Sequence, residues 1–309
     1  MRLDDIGESS NIEDRRGHGG FGGGGGFGFP VGGGGLGIGT MIILGIVAWL
    51  FGINPAILIG GAEILTGGRG GSISQQSAPP RPNPNAPVKK DADQQFVSRI
   101  LKSTEDVFTE QFAKQFNARY KPPRLVMFSG ATRSGCGAAQ SAMGPFYCPL
   151  DQTVYLDTSF FAEMKNRLRA GGDFAYAYVI AHEVGHHVEN QLGILPKVQE
   201  MQQRVGRREA NALSVRVELM ADCLAGAWAF HADQRFKLLE QGDVEEAMNA
   251  ASQIGDDKLQ KQSQGYVVPD SFTHGSSAQR MEWFQRGLKS GDMRQCDTFN
   301  AARQRSSGW

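Results

Sequence analysis

His182 and His186 flank Glu183 in the run His182-Glu183-Val184-Gly185-His186. On a helix, positions i and i+4 share one face, so both imidazoles can hold one ion while Glu183 reaches a water beside it. This H-E-x-x-H spacing is the arrangement used in zinc-dependent peptide hydrolysis. A catalytic zinc takes three protein ligands and keeps a fourth position for water. The expected third ligand is Glu218, in Glu218-Leu219-Met220-Ala221-Asp222, some thirty residues downstream. Asp222 shares its helix face. A carboxylate pair on the semi-buried side of an apolar helix needs a partner, because unpaired buried charge is costly. Zn2+ and its histidines would supply one. Asp222 would then accept the free ring N–H of a ligand histidine, His182, and fix its tautomer. The alternative for Glu218 and Asp222 is a salt-bridged surface pair.

Two helices must position these groups. Phe174 to Gln191 has no proline and one glycine, Gly185, and Asp173 is the expected N-cap after Gly171-Gly172. Glu209 to Ala232 carries Leu213, Val217, Leu224 and Trp228 at helical spacing. Further helices are expected at Phe96–Phe116, Asp157–Arg169, Lys197–Arg208, Gly242–Leu259 and Ser276–Leu288. Leu125–Phe128 reads as a short strand, and Phe146–Leu156 as strands about a turn near Asp151-Gln152. His187 is turned about 100° from His186, and His231 and His18 lie off the acidic face, so these three are expected to be structural or solvated.

The combination resembles a known family. H-E-x-x-H followed by E-x-x-x-D is similar to the gluzincin arrangement, and the wider pattern resembles the neutral zinc metallopeptidase family of membrane-anchored bacterial proteins. Its carriers are Asn11-Ile12-Glu13-Asp14-Arg15-Arg16, a glycine-rich stretch, one apolar segment, the histidine motif with Ala181 and His187, Glu218 to Asp222, and Phe272 to Arg280. The likeness covers nearly the whole chain. It implies a zincin-like α+β domain, mainly helical with a small β-sheet, preceded by one transmembrane helix. Thr273-His274 followed by Arg280 also resembles the T-H-P-x-x-x-x-R segment of membrane-associated peptidases of the CAAX-protease kind, with Gly275 in place of proline. That likeness implies that His274 lies near the metal and helps stabilise an oxyanion. The alternative for His274 is a loop histidine capping the next helix. Arg280 either orders the carboxylates of the site or is a solvated helix residue.

The rest of the chain bounds the setting. It has 309 residues and no net charge, and no basic block interleaves with aromatics, so no nucleic-acid partner is expected. Four regions are expected: a glycine-rich tail at 1–35, a transmembrane anchor at 36–59, a Pro/Gly-rich linker at 60–95 and the peptidase domain at 96–309. Residues 17–62 carry no Asp, Glu, Lys or Arg, and 36–59 is long enough for the roughly 20 apolar residues of a single-pass helix. Arg2, Arg15 and Arg16 before it favour a cytoplasmic N-terminus in the inner membrane, with the domain periplasmic or otherwise outside the cytoplasm. Cys136, Cys148, Cys223 and Cys296 all follow the linker. An even number in an outward-facing domain favours disulfides; Cys136–Cys148 and Cys223–Cys296 are the preferred pairs, with a reduced, buried Cys223 as the alternative.

The expected function is hydrolysis of a peptide or protein substrate, with Glu183 as general base. Two alternatives share the features: a non-catalytic zinc-binding envelope protein, and a zinc amidase acting on cell-wall peptides. The first has no use for Glu183.

Overall fold

Helix α1, Ala92–Phe116, is set by Asp91, whose side chain accepts the backbone N–H of Gln94, and it ends at Asn117 in the left-handed region. Val97, Ile100, Leu101, Phe108 and Phe112 form its buried stripe. The computed structural model describes residues 1–16 and 91–300. After α1 come strands β2 (Arg124–Phe128), β3 (Ala131–Ser134), β4 (Gly137–Gln140), β5 (Phe146–Cys148) and β6 (Thr153–Asp157). Helices follow: α2 (Ser159–Asn166), α3 (Asp173–Gln191), α4 (Ile194–Gln202), α5 (Arg207–Phe236), α6 (Asp243–Gln253), α7 (Asp256–Gln264) and α8 (Ser277–Ser290). Strand β1, Ile12–Asp14, precedes them all.

The main sheet has the order β1-β2-β6-β5; β1, β2 and β6 are parallel, and β5 runs antiparallel at one end. β3 and β4 form a separate antiparallel hairpin. α3 and α5 pack in the centre of the helical layer, with Phe174 of α3 stacked on Trp228 of α5 at 6.0 Å. Trp228 donates its indole N–H to Ser103 Oγ of α1 at 3.0 Å, so the buried ring also satisfies its polar edge. α5 and α8 meet almost backbone to backbone. A Cβ on Gly287 would stand 1.8 Å from the carbonyl oxygen of Cys223, and one on Gly226 would stand 2.1 Å from that of Phe284. Only glycine permits that approach.

Several expectations shift. The long helix at 242–259 is two helices, broken at Ile254 and Gly255. Gly172, not Asp173, is the N-cap of α3. The β3–β4 hairpin lies between the two expected strand regions, at positions where no strand is expected. The disulfides Cys136–Cys148 and Cys223–Cys296 are both formed.

The largest correction concerns the N-terminal residues. β1 pairs with β2 in the register Ile12↔Leu125, Glu13↔Val126 and Asp14↔Met127. Ile6 is buried in the main core, and Ser9 Oγ donates to Glu105 at 2.6 Å. Residues 1–16 are therefore part of the folded body. The chain leaves it at Arg16 and returns at Asp91, and these two side chains are ion-paired at 3.0 Å. One membrane crossing between them would put β1 and β2 on opposite sides of a bilayer, which their pairing forbids. Among the described residues no helix is long and apolar enough to cross a membrane. The expected fold, a domain preceded by one transmembrane helix, is accordingly corrected to a mainly helical α+β domain with a small sheet. The segment 36–59, the glycine-rich run from 17 and the linker up to 90 lie outside the described residues.

Candidate metal centre

His182 and His186 project from α3 with their ring centroids 4.8 Å apart. Between them, Gly185 lets α5 come close: a Cβ there would meet the Ala221 carbonyl oxygen at 3.0 Å. That approach carries Glu218 and Asp222 to the histidines. Glu218 Oε2 lies 3.2 Å from His182 Nε2, and Glu218 Oε1 lies 3.7 Å from His186 Nε2. One ligand atom from each of His182, His186 and Glu218 falls within 4.8 Å of the others.

The outer nitrogens are held as well. His182 Nδ1 lies 2.8 Å from Asp222 Oδ1, which also accepts from Tyr178 OH at 2.6 Å and Arg280 Nη2 at 2.9 Å. Arg280 Nε donates to Asp222 Oδ2 at 2.9 Å. His186 Nδ1 lies 2.8 Å from Glu189 Oε2. With a carboxylate on each Nδ1, both rings donate there and turn Nε2 toward Glu218. Two imidazoles and a carboxylate are a normal donor set for zinc. Ligands about 2.0–2.2 Å from a tetrahedral ion stand roughly 3.3–3.6 Å apart, close to the 3.2 and 3.7 Å between Glu218 and the two histidines. The residues fit the ion. They line a cleft of about 650 Å³, together with Glu183 and His274, and with Tyr147 on β5.

The model of the family described as "putative neutral zinc metallopeptidase" matches residues 1–299. The chain belongs to this family. The protein described as "Uncharacterized protein YpfJ", from Escherichia coli strain K12, is 52% identical over 299 residues, covering 97% of this chain and 99% of that one. "Uncharacterized protein Rv2575" of Mycobacterium tuberculosis strain H37Rv is 44% identical over 193 residues, 59% of this chain and 64% of its own. No solved structure matches.

Burial and charge set the ionisation of the site. Burial raises the Glu183 carboxyl above its ordinary range, against the pull of His186 and His182. Burial also opposes charge on His182, but Asp222 and Glu218 outweigh it and lift the ring to about 10. For Asp222 the burial effect is overcome by Arg280 and His182, which bring it to about 2. Glu218 behaves likewise, held low by His274 and His186 against burial. Glu189 is the contrast. Burial carries it up to about 7, and its Oε1 has no hydrogen-bond partner among the described residues.

Arg280 is a buried residue of the site rather than a solvated one, 2% exposed and bonded to Asp222 and Tyr178. His274 lines the cleft, with its Nδ1 3.3 Å from Asp256 Oδ1. Gly275 has φ +94°, which a proline, fixed near −65°, cannot adopt. His187 is fully buried, turned away from the His182, His186 and Glu218 cluster. Its Nε2 donates to the Lys121 carbonyl at 2.7 Å, so Nδ1 accepts from Tyr147 OH at 2.9 Å and ties α3 to β5. His231 bonds the Gly291 carbonyl, and His18 lies outside the described residues.

Three residues of the site were not anticipated: Tyr178, Glu189 and Asp256. Tyr178 and Glu189 had a usable signal. They stand four residues before His182 and three after His186, on the ligand face of the same helix.

Proposed function

We propose that this protein is a zinc-dependent endopeptidase. The observation that carries the reading is the convergence of His182, His186 and Glu218 within 4.8 Å at a cleft that also holds Glu183. Zinc, when bound there, polarises a carbonyl and lowers the pKa of a water toward neutrality. Glu183, its carboxyl raised by burial, takes a proton from the attacking water and passes it to the leaving amine. Asp222 and Glu189 hold the two histidines with Nε2 facing Glu218. His274 donates toward the oxygen that gains charge. β5 ends the sheet, and Phe146 and Tyr147 on it line the cleft, so an extended peptide can pair with that strand by backbone hydrogen bonds. The two disulfides favour an oxidising compartment.

The test is digestion of a mixture of unfolded proteins by the intact zinc-loaded chain, with products read by mass spectrometry and Glu183→Gln as control. Internal cleavage is expected from the wild type. The variant should keep its zinc and fall about 10²–10⁴-fold in rate. Equal cleavage by the two proteins overturns Glu183 as the base. No cleavage of proteins alongside cleavage of wall peptides moves the substrate class to the amidase alternative.

A further inference from the structure

The loop that presents His274 is held by one side chain from another helix. Asp256 is the first residue of α7, and its carboxylate is buried. Its Oδ2 accepts three successive backbone N–H groups: Thr273 at 2.7 Å, His274 at 2.7 Å and Gly275 at 3.0 Å. Its own backbone N–H donates to the Gly275 carbonyl at 2.9 Å, which closes the loop on α7. Three consecutive amides converging on one oxygen form the kind of nest that captures anions, and here the anion belongs to the chain. The other oxygen, Oδ1, faces His274 Nδ1 at 3.3 Å. With Nδ1 engaged, Nε2 is the ring nitrogen left for the cleft. The neighbouring Asp257 fixes the next residues, accepting from Ser277 N and Oγ at 2.7 Å each.

This arrangement answers a question raised by Gly275. A proline after the histidine would stiffen the loop by fixing φ, and it would have no N–H to give. Here the residue is a glycine at positive φ that donates to Asp256, and a Cβ on it would meet Leu219 at 3.2 Å and Val215 at 3.3 Å. Those contacts lie on α5, beside Glu218. The loop's stiffness therefore comes from a carboxylate supplied by α7.

We propose that Asp256 is the positioning residue for His274, fixing both the backbone of the loop and the ring, so that Nε2 points at the reacting carbonyl oxygen. This rests on the reading of the cleft as a peptidase site.

The first measurement needs no variant and no activity: long-range ¹H–¹⁵N spectra of the intact, histidine-labelled, zinc-loaded chain. The His274 ring should carry a proton on Nδ1, facing Asp256, as well as on Nε2, facing the cleft, and Asp256→Asn should strip Nδ1 and leave Nε2–H alone. A wild-type ring protonated on Nε2 alone overturns the proposal, even if the variant fails to fold. The second measurement is a cycle of Asp256→Asn, His274→Ala and the double variant, followed through kcat, KM, zinc content and melting temperature. His274→Ala should lower kcat about 100-fold and Asp256→Asn about 10-fold, with KM little changed and zinc retained. The double variant should be no slower than His274→Ala alone, because Asp256 acts through that ring. Losses that multiply in the double variant overturn it. If the wild type hydrolyses nothing, the peptidase reading fails while the spectra still decide whether Asp256 holds a proton on His274 Nδ1.

Discussion

The two walls of the cleft are built on different principles. The metal side comes from α3, α5 and α8, and its polar atoms lock one another: Arg280 and Tyr178 hold Asp222, Asp222 holds His182, and Glu189 holds His186. The facing side comes from the β3–β4 hairpin and β5. It is fastened by separate links, the Cys136–Cys148 disulfide and the Tyr147–His187 hydrogen bond. Ligand geometry has to hold to within about half an ångström, and buried helices whose polar groups brace one another provide that. A wall that admits a peptide needs only to be fastened near it. If this contrast is right, damage to the metal side should reach the whole fold, whereas damage to the facing side should stay local.

The severest break should come from Arg280→Met. It leaves Asp222 buried with its main countercharge gone, and breaking such a pair costs about 3–5 kcal/mol. Denaturant unfolding of the zinc-loaded protein measures this. A loss below about 1 kcal/mol would mean that the metal side is not interlocked as described. Cys136→Ser with Cys148→Ser probes the other wall. The bond closes a short loop with a sequence separation of 12, worth about 3 kcal/mol in the chain-entropy account. That loss should fall on the hairpin and β5, raising KM while zinc content stays at the wild-type level. Zinc loss in this variant would show that the two walls are not independent.

How much of this was readable beforehand follows from the same contrast. The metal side was largely legible, because helical spacing turns sequence into geometry: His182 with His186 and Glu218 with Asp222 are each i, i+4 pairs. Gly185 stood in plain view, but its reason is the Ala221 backbone opposite, and only the packing reveals that. Asp256 was invisible because it bonds residues 17 to 19 positions away across a loop. β1 was hidden for a stronger reason. Its partner strand lies more than a hundred residues on, past a glycine- and proline-rich stretch, and three residues show no periodicity. Residues 1–16 taken as part of a tail are compatible with a single crossing after them; paired with β2 they are not.

Within the metal side, the two histidine supports differ and can be ranked. Asp222 is charged, braced by Arg280 and Tyr178; Glu189 is pushed up to about 7 by burial and, among the described residues, is bonded through one oxygen. Zinc competition with a chelator should give a loss of affinity of roughly 10–100-fold for Asp222→Asn, and a smaller loss for Glu189→Gln. Equal losses would remove Arg280's bracing as the cause of the difference.

His187 joins the two walls, and acid should work on that joint. Burial lowers its ring from 6.5 to about 4. Above the unfolded value the ring is neutral in both states and costs nothing. Below it, the unfolded chain takes up a proton that the folded one refuses. Stability then falls by up to about 1.4 kcal/mol per pH unit, until the folded ring also protonates near pH 4. Glu189 works in the opposite sense, because its raised carboxyl binds a proton in the folded state before the unfolded one does. The measurement is therefore a difference: unfolding free energy of wild type and His187→Gln between pH 7 and pH 4. The wild type should lose more over that range, and hydrogen exchange should show the excess at β5 ahead of α3. Parallel pH profiles for the two proteins would mean that His187 is not where the walls come apart.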